Sequence, residues 1–196
     1  MIKKFLSRIN LKRALKLVST PKLHLGCGPN VLPGWLNLDL EPGVGGFKCD
    51  LTQRLPIPNN TIEYIYSEHF IEHLEITDAE ALLRECYRVL KPQGVIRIST
   101  PDLRKLLDEY YKKRTTEWHD VGWTPLTPCR MVNEGMRLWG HKFVYDSDEL
   151  QTLIQKAGFI KVRSVKWRDS QYTALQNLES RPFHGELIFE ADKAEY

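Results

Sequence analysis

The sequence predicts an α/β domain built on a largely parallel sheet with helices on both faces. Short apolar or alternating segments recur along the chain, and amphipathic helical segments lie between several of them. This alternation is typical of a parallel sheet, because each crossover must return the chain to the same edge. A length of 196 residues suits one domain with a full core.

Seven segments are predicted to be strands, and three are predicted to be long helices. The strands cover residues 22–25, 35–39, 47–49, 61–66, 95–99, 159–167 and 183–191. The helices cover residues 77–90, 101–114 and 146–157, and the first of them is expected to begin with a capping box from Thr77 to Glu80. Prolines and glycines leave no room for a full helix between the first two strands, so the first crossover is expected to be short.

Two regions stand apart from this pattern. Residues 1–20 are predicted to form a basic helical segment in front of the main domain, residues 21–196, which carries an irregular insertion at about 115–140. Apolar residues lie on two nearly opposite faces of the first segment. It is expected either to pack on the domain or on a second copy in a homodimer, or to anchor residues 1–18 at a membrane surface.

Charge and composition limit the partners. Seven of the 28 basic residues precede Asp39, the first acidic residue, which leaves 21 basic and 25 acidic residues in the rest of the chain. This mildly acidic body gives no reason to expect a nucleic-acid partner. The N-terminus lacks the uninterrupted apolar run of a signal peptide, and the four cysteines form no CxxC pair. A cytoplasmic location is therefore expected, with peripheral membrane contact as the alternative.

A glycine-rich turn follows the first predicted strand, and an acid ends the second. Gly26 and Gly28 allow backbone to approach a ligand without an intervening Cβ. The third glycine of a dinucleotide fingerprint is replaced by Val31, so a pyrophosphate on a helix N-terminus is poorly supported. Asp39 suits a ribose, whose hydroxyls donate to carboxylate oxygens. Its alternative role is to cap the turn before Pro42.

Four segments in this order resemble the class I S-adenosylmethionine-dependent methyltransferases of the small, type 11-like methyltransferase-domain family. They are residues 23–29, 37–39, 49–65 and 85–94. The resemblance implies a doubly wound, Rossmann-like methyltransferase fold with a seven-stranded sheet whose last strand is antiparallel. It also implies S-adenosyl-L-methionine as the cofactor.

The resemblance assigns cofactor-binding roles to eight residues. They are Gly26, Cys27 and Gly28 for the methionine part, Asp39 for the ribose with Leu40 beside it, Asp50 and Leu51 for the adenine, and Ser67 near the sulfonium methyl. The sequence departs from the family at two positions. His24 replaces an acid two places before the first glycine, and Gln93 occupies a position that is often glycine.

Three residues are predicted to take part in catalysis: Glu68, His69 and His141. An alcohol acceptor benefits from a general base, and histidine has the most suitable pKa. His69 and His73 would stack on one helical face, but this HxxxH spacing has no evident third ligand, so no metal site is predicted. The alternative is that these histidines are structural.

The sequence favours methyl transfer to an oxygen of a small-molecule or glycan-type acceptor. The insertion carries Trp118, His119, Trp123 and Trp139, which either stack on a sugar or planar ring or form a small core of their own. One alternative is an RNA or protein methyltransferase. The other is a subunit that binds the cofactor without catalysing a reaction.

Overall fold

The computed structural model describes residues 11–195 and contains one seven-stranded sheet. Its strands are β1 Lys22–Leu25, β2 Leu36–Asp39, β3 Phe47–Lys48, β4 Ile62–Glu68, β5 Leu90–Thr100, β6 Ile160–Ser164 and β7 Leu187–Asp192. They lie in the order β3-β2-β1-β4-β5-β7-β6. β7 runs antiparallel to both of its neighbours, β5 and β6, and all other neighbouring pairs are parallel. The predicted sheet and its antiparallel last strand are confirmed.

The connection between β1 and β2 shapes the end of the sheet where the glycine turn lies. Residues 26–35 contain turns and extended backbone, and no helix. The shortened first crossover is thus confirmed. The turn is tied to β2 instead of to a helix, because the amides of Gly26 and Cys27 both donate to the carbonyl of Leu38.

Five α-helices accompany the sheet in the described part of the chain. They are α1 over residues 11–17, α2 Ile76–Val89, α3 Leu103–Tyr111, α4 Pro128–Gly135 and α5 Ser147–Lys156. The capping box predicted at Thr77 is wrong. The helix begins one residue earlier, at Ile76, and its cap residue Glu75 makes no side-chain cap bond. Asp146 caps α5, since its side chain accepts from the amide of Glu149.

Helices cover one face of the sheet with a continuous apolar core. Alternate residues of the central strands, such as Leu23 and Ile65, point to this side and pack with α2 and α5. Leu11 of α1 is 2 % exposed in the same core. The packing of the N-terminal segment on the domain is therefore established for residues 11–15, whereas residues 1–10 lie outside the described part of the chain.

The opposite face of the sheet is polar at its centre. His24, Tyr66, Arg97 and Glu190 face each other across four neighbouring strands, and all four are buried. The connection between β6 and β7 lies over them and contains one short 3₁₀ turn, Thr173–Leu175. Leu175 joins a small apolar cluster with Trp35 from the β1–β2 connection. The side chain of Arg97 donates to the carboxylates of Glu179 and Glu190 at 2.7 and 2.8 Å.

The insertion folds against α3. It contains α4, and Thr127 caps this helix through its side chain. Leu106, Trp123 and Met131 form a separate small core between α3 and the insertion. No helix among residues 11–195 is long and apolar enough to cross a membrane.

Candidate functional site

A cavity of about 290 Å³ opens at the carboxyl ends of β1, β2 and β4. Ligand sites in open α/β sheets form at this edge. Six predicted site residues line it: Gly26, Cys27, Gly28, Asp39, Glu68 and His69. The lining also includes His24, Pro29, Asn30, Phe70, His73 and Arg181.

The glycine turn has a conformation that suits close approach of a ligand. Gly26 has φ of +65°, and a Cβ there would lie 2.2 Å from the ring of Phe70. Gly28 has φ of +47°, but the space beside it is open. Gly26 is therefore required for packing, whereas Gly28 leaves one wall of the cavity free of side chain.

The carboxylate of Asp39 connects the glycine turn to β2. Its Oδ2 accepts from the amide of Gly28 at 2.9 Å, and its Oδ1 accepts from the amide of Glu41 at 2.8 Å. Each carboxylate oxygen has a second lone pair, so Asp39 can still accept from the hydroxyls of a ribose. Both proposed roles of Asp39, turn cap and ligand acceptor, are thus compatible in one geometry.

The remaining cofactor-binding candidates do not line this cavity. Asp50 follows β3 at the same edge, and its Oδ1 accepts from the amide and hydroxyl of Thr52 at 3.1 and 2.7 Å. Leu51 is buried in the main core, Ser67 is buried in β4, and Leu40 is 56 % exposed. Their roles toward a cofactor stay predictions.

His24 replaces the expected acid with a neutral ring. Its Nδ1 lies 3.0 Å from Oδ1 of Asn37 on the neighbouring strand. Burial lowers the pKa of His24, although the contact with Asn37 opposes this shift. The side chain at this wall of the cavity is thus uncharged at neutral pH, so it cannot reproduce the charge of the family's acid.

Glu68 attaches the β6–β7 connection to the cavity. We call residues 179–186 the strap. The carboxylate of Glu68 accepts from the amide and hydroxyl of Ser180, with distances from 2.7 to 3.2 Å, and from the amide of Arg181 at 3.3 Å. Both carboxylate oxygens of Glu68 thus accept hydrogen bonds from the strap and hold it in place. This geometry does not favour the predicted role of Glu68 as a base.

His69 fastens the other end of the strap. Its Nδ1 lies 3.3 Å from Oε1 of Glu72, and its Nε2 lies 3.5 Å from Oε1 of Glu186. Burial alone lowers the pKa of His69, but these two carboxylates outweigh it and raise the pKa to about 9. The ring is therefore a cation at neutral pH with both nitrogens engaged, which does not favour the predicted role of general base.

His141 keeps one ring nitrogen open. It follows the 3₁₀ turn Leu138–Gly140, and its Nδ1 lies 2.9 Å from the carbonyl of Gly135. That contact assigns the proton to Nδ1 and leaves the lone pair on Nε2. Burial lowers the pKa of His141. Its ring centroid lies 5.1 Å from that of His73. His73 lines the cavity, so His141 is separated from the cavity by the ring of His73.

The tryptophans of the insertion form a small aromatic core next to this site. Trp118 stacks on Trp139 at 5.7 Å and on His184 of the strap at 5.1 Å, while Trp123 contacts both tryptophans. Trp139 remains 42 % exposed. His119 lies apart, with a side chain that is 81 % exposed.

Sequence reasoning missed the contribution of the strap. Arg181 and Ser180 come from a connection more than 100 residues after β4, and nothing in their local pattern marks them as part of the cavity. His73 was visible as the second histidine of the HxxxH pair. Its partner in the structure is His141, however, and no spacing rule connects the two.

Part of the amino-acid sequence is similar to known methyltransferases. The family described as "Methyltransferase domain" matches residues 23–98, which contain β1 to β4, α2 and most of β5. A probable S-adenosylmethionine-dependent methyltransferase of Mycobacterium tuberculosis is 28 % identical over 121 residues, or 62 % of this chain and 35 % of the relative. A similarly described protein of Mycolicibacterium smegmatis is 40 % identical over 48 residues, or 24 % of this chain and 18 % of the relative. The chain thus spans about a third or less of the length of these curated relatives.

Solved structures show the same fold at low sequence identity. A methyltransferase dependent on S-adenosylmethionine from Mesorhizobium loti aligns with a TM-score of 0.55 and 19 % identity, covering 92 % of this chain and 96 % of its own. Another from Archaeoglobus fulgidus aligns with a TM-score of 0.54 and 16 % identity, covering 97 % and 94 %. At this identity the likeness shows the fold alone.

Proposed function

We propose that the chain is a class I S-adenosyl-L-methionine-dependent methyltransferase, with S-adenosyl-L-methionine as its cofactor, and that it methylates an oxygen of a small-molecule or saccharide acceptor. The observation that carries methyl transfer is the cavity beside β1 and β2. There the open backbone of Gly28 and the carboxylate of Asp39 meet at 2.9 Å.

Different residues around this edge of the sheet would contact different parts of the cofactor. The turn from Gly26 to Gly28 would hold the methionine part, and Asp39 would accept from the ribose hydroxyls. Asp50 and Leu51 would contact the adenine from the end of β3, and Leu40, in the loop after β2, would lie beside the ribose. Ser67, at the carboxyl end of β4, would stand near the sulfonium methyl.

Methyl transfer depends mainly on alignment. The nucleophile displaces sulfur in line, and a fixed geometry supplies much of the rate. Of the three residues predicted as catalytic, His141 is the one with an open ring nitrogen. Glu68 and His69 hold the strap instead. We therefore assign His141 to the acceptor hydroxyl, and we assign Glu68 and His69 to positioning.

Two observations support an oxygen on a small or saccharide acceptor. Trp139 is 42 % exposed and lies against Trp118 and His141, and sugars and planar rings bind such aromatic surfaces. The chain outside the N-terminal segment is mildly acidic, which disfavours RNA. RNA or protein methylation, and cofactor binding without catalysis, are the alternatives that the experiment below distinguishes.

The test begins with calorimetric titration of the purified protein with S-adenosyl-L-methionine and, separately, with NAD. We expect micromolar binding of the former only. Asp39→Asn should weaken this binding at least tenfold, because the amide keeps one acceptor oxygen but loses the charge. Glu41→Gln, an exposed acid two residues away, is the matched control and should bind normally.

The acceptor class is then identified with cofactor that carries a labelled methyl group. Label should appear on sugars or other hydroxyl compounds and not on RNA or peptides. Absence of cofactor binding at millimolar concentration contradicts the proposal as a whole. Binding without transfer to any acceptor class favours the non-catalytic alternative.

Three further points stand as proposals about the whole protein. They are a cytoplasmic location, peripheral membrane contact through residues 1–18 and a homodimer. Deletion of residues 1–18 tests the second, because loss of liposome binding supports an anchor. Early melting would instead support a structural helix, consistent with the buried side chain of Leu11.

A further inference from the structure

Three side chains that can bind a metal converge behind the wall of the cavity. Glu72 and His73 belong to the 3₁₀ turn Ile71–His73, and His141 follows the turn Leu138–Gly140. One ligand atom from each lies within 4.8 Å of the others. We propose that Glu72, His73 and His141 bind a divalent transition-metal ion, with Zn²⁺ as the first candidate.

The chemistry of the donors fits such an ion. Two imidazoles and one carboxylate, with one position left open, are a common ligand set of catalytic zinc. Bonds of about 2.0–2.1 Å in tetrahedral geometry place ligand atoms about 3.4 Å apart. The three groups must therefore close by no more than about 1.4 Å, which side-chain rotation can supply.

The carboxylate of Glu72 is buried but incompletely satisfied. Its Oε2 accepts from the hydroxyl of Thr100 at 2.9 Å, which orients the group. Its Oε1 receives no hydrogen bond from residues 11–195, although His69 lies 3.3 Å away as an ion-pair partner. Beside its ion pair with His69, this Oε1 atom therefore keeps lone pairs that are available to a bound cation.

His141 already has the orientation of a metal ligand. Metal-binding histidines usually donate their other ring N–H to a carboxylate or a backbone carbonyl, and this fixes the tautomer. The 2.9 Å contact from Nδ1 to the carbonyl of Gly135 provides this arrangement and leaves Nε2 for the ion. The ring of His73 lies nearly perpendicular to that of His141, at 75°.

Two carboxylates lie beside one imidazole next to this cluster, because Glu72 and Glu186 both contact His69. The sequence predicted no metal site, because the HxxxH pair His69 and His73 had no evident third ligand. The proposed site differs from that pair, since His69 contacts the strap and His141 is the second histidine ligand.

The consequence for catalysis rests on the proposed function. His73 lines the cavity, so the open coordination position would face it. With its Nε2 bound to the ion, His141 would act on the acceptor hydroxyl through the metal and not as a general base. A hydroxyl bound to the ion would lose its proton to water, because the metal lowers the pKa of that hydroxyl. The resulting alkoxide would form the new C–O bond while the C–S bond breaks, and the electron pair would stay on sulfur to give S-adenosyl-L-homocysteine.

The test uses untagged protein freed of metal with a chelator. We expect one equivalent of Zn²⁺ to bind in calorimetry with a Kd in the micromolar range or below. Bound Co²⁺ should give visible absorption bands typical of a low-coordinate site. His73→Gln and His141→Gln should each weaken Zn²⁺ binding at least tenfold. His119→Gln, at an exposed histidine, is the matched control and should bind normally.

Substoichiometric binding, or binding that is equal in all variants, overturns the proposal. Circular dichroism of each variant guards against misfolding, and the Co²⁺ spectrum of the unaltered protein tests the site without any substitution. Titration of the metal-free protein with S-adenosyl-L-methionine distinguishes failure of the metal-site proposal from failure of the proposed methyltransferase function. Cofactor binding without stoichiometric metal binding refutes only the metal site.

Discussion

The two faces of the sheet are held by different forces. On the helical face, α1, α2 and α5 bury a continuous apolar core that includes Leu23 and Ile65. On the opposite face, a connection with little regular structure lies over a buried polar row centred on Arg97. The first arrangement spreads its stability over many weak contacts, whereas the second depends on a few directional bonds.

This difference matters for function because the polar face leads into the cavity. Glu179 binds Arg97, and the next residue, Ser180, binds Glu68 at the cavity edge. The strap then continues to Glu186, the ion-pair partner of His69. The buried polar row therefore determines where the strap enters the site, although the row itself lies away from the cavity apart from His24.

The strongest test of the comparison is Arg97→Met. Removing the guanidinium leaves Glu179 and Glu190 in a dry environment without their main partner, so we expect a loss of about 3–5 kcal/mol in the free energy of unfolding. Cleavage by trypsin at Lys166 and Arg168 should also increase. Urea denaturation and limited proteolysis measure both effects.

Arg84→Met is the control, because Arg84 pairs with Glu80 on the surface. A loss no greater than in this control would show that the polar row is dispensable.

A smaller loss of stability is expected on the helical face for Leu83→Ala. Leu83 is 1 % exposed in the main core, and truncating such a leucine costs about 3 kcal/mol through lost burial and a residual cavity. The affinity for S-adenosyl-L-methionine should be unchanged at temperatures where the variant is folded. Denaturation and calorimetry together provide the measurement. A large loss of affinity would show that the two faces are coupled.

The smallest expected effect is that of Glu68→Gln, which weakens the junction between the polar face and the cavity. The amide keeps one acceptor oxygen, so the strap should loosen without global unfolding. We expect the Kd for S-adenosyl-L-methionine to rise roughly tenfold, equivalent to about 1.4 kcal/mol. Glu63→Gln, near the start of the same strand, is the control. An unchanged Kd together with unchanged hydrogen exchange at the amides of Ser180 and Arg181 would show that Glu68 does not hold the strap.

The glycine turn and Asp39 are the part of the cavity lining that is local in the sequence. Gly26, Gly28 and Asp39 lie within 13 residues of each other, and local turn geometry brings them together. The two positions that differ from the family, His24 and Gln93, were also identified from the sequence. Gln93, at a position that is often glycine in the family, adopts a φ of +64°, a conformation that glycine tolerates better.

The histidines show the limit of local reasoning. The HxxxH spacing predicted that His69 and His73 would share a helical face, but the segment forms only the short 3₁₀ turn Ile71–His73. His69 lies outside that turn with a φ of +48°. The two rings consequently separate, so that His69 meets Glu186 and His73 meets His141.

The sequence by itself determined the fold class, the short first crossover, the glycine turn and the acid that follows it. These features depend on apolar periodicity, on the backbone freedom of glycine and on groups that are close along the chain. Only the tertiary structure decided that the 179–186 strap closes the cavity, that Glu68 and His69 hold it, and that His141 joins Glu72 and His73. Such contacts join groups more than 60 residues apart, and their energies come from burial and pairing that no local pattern encodes.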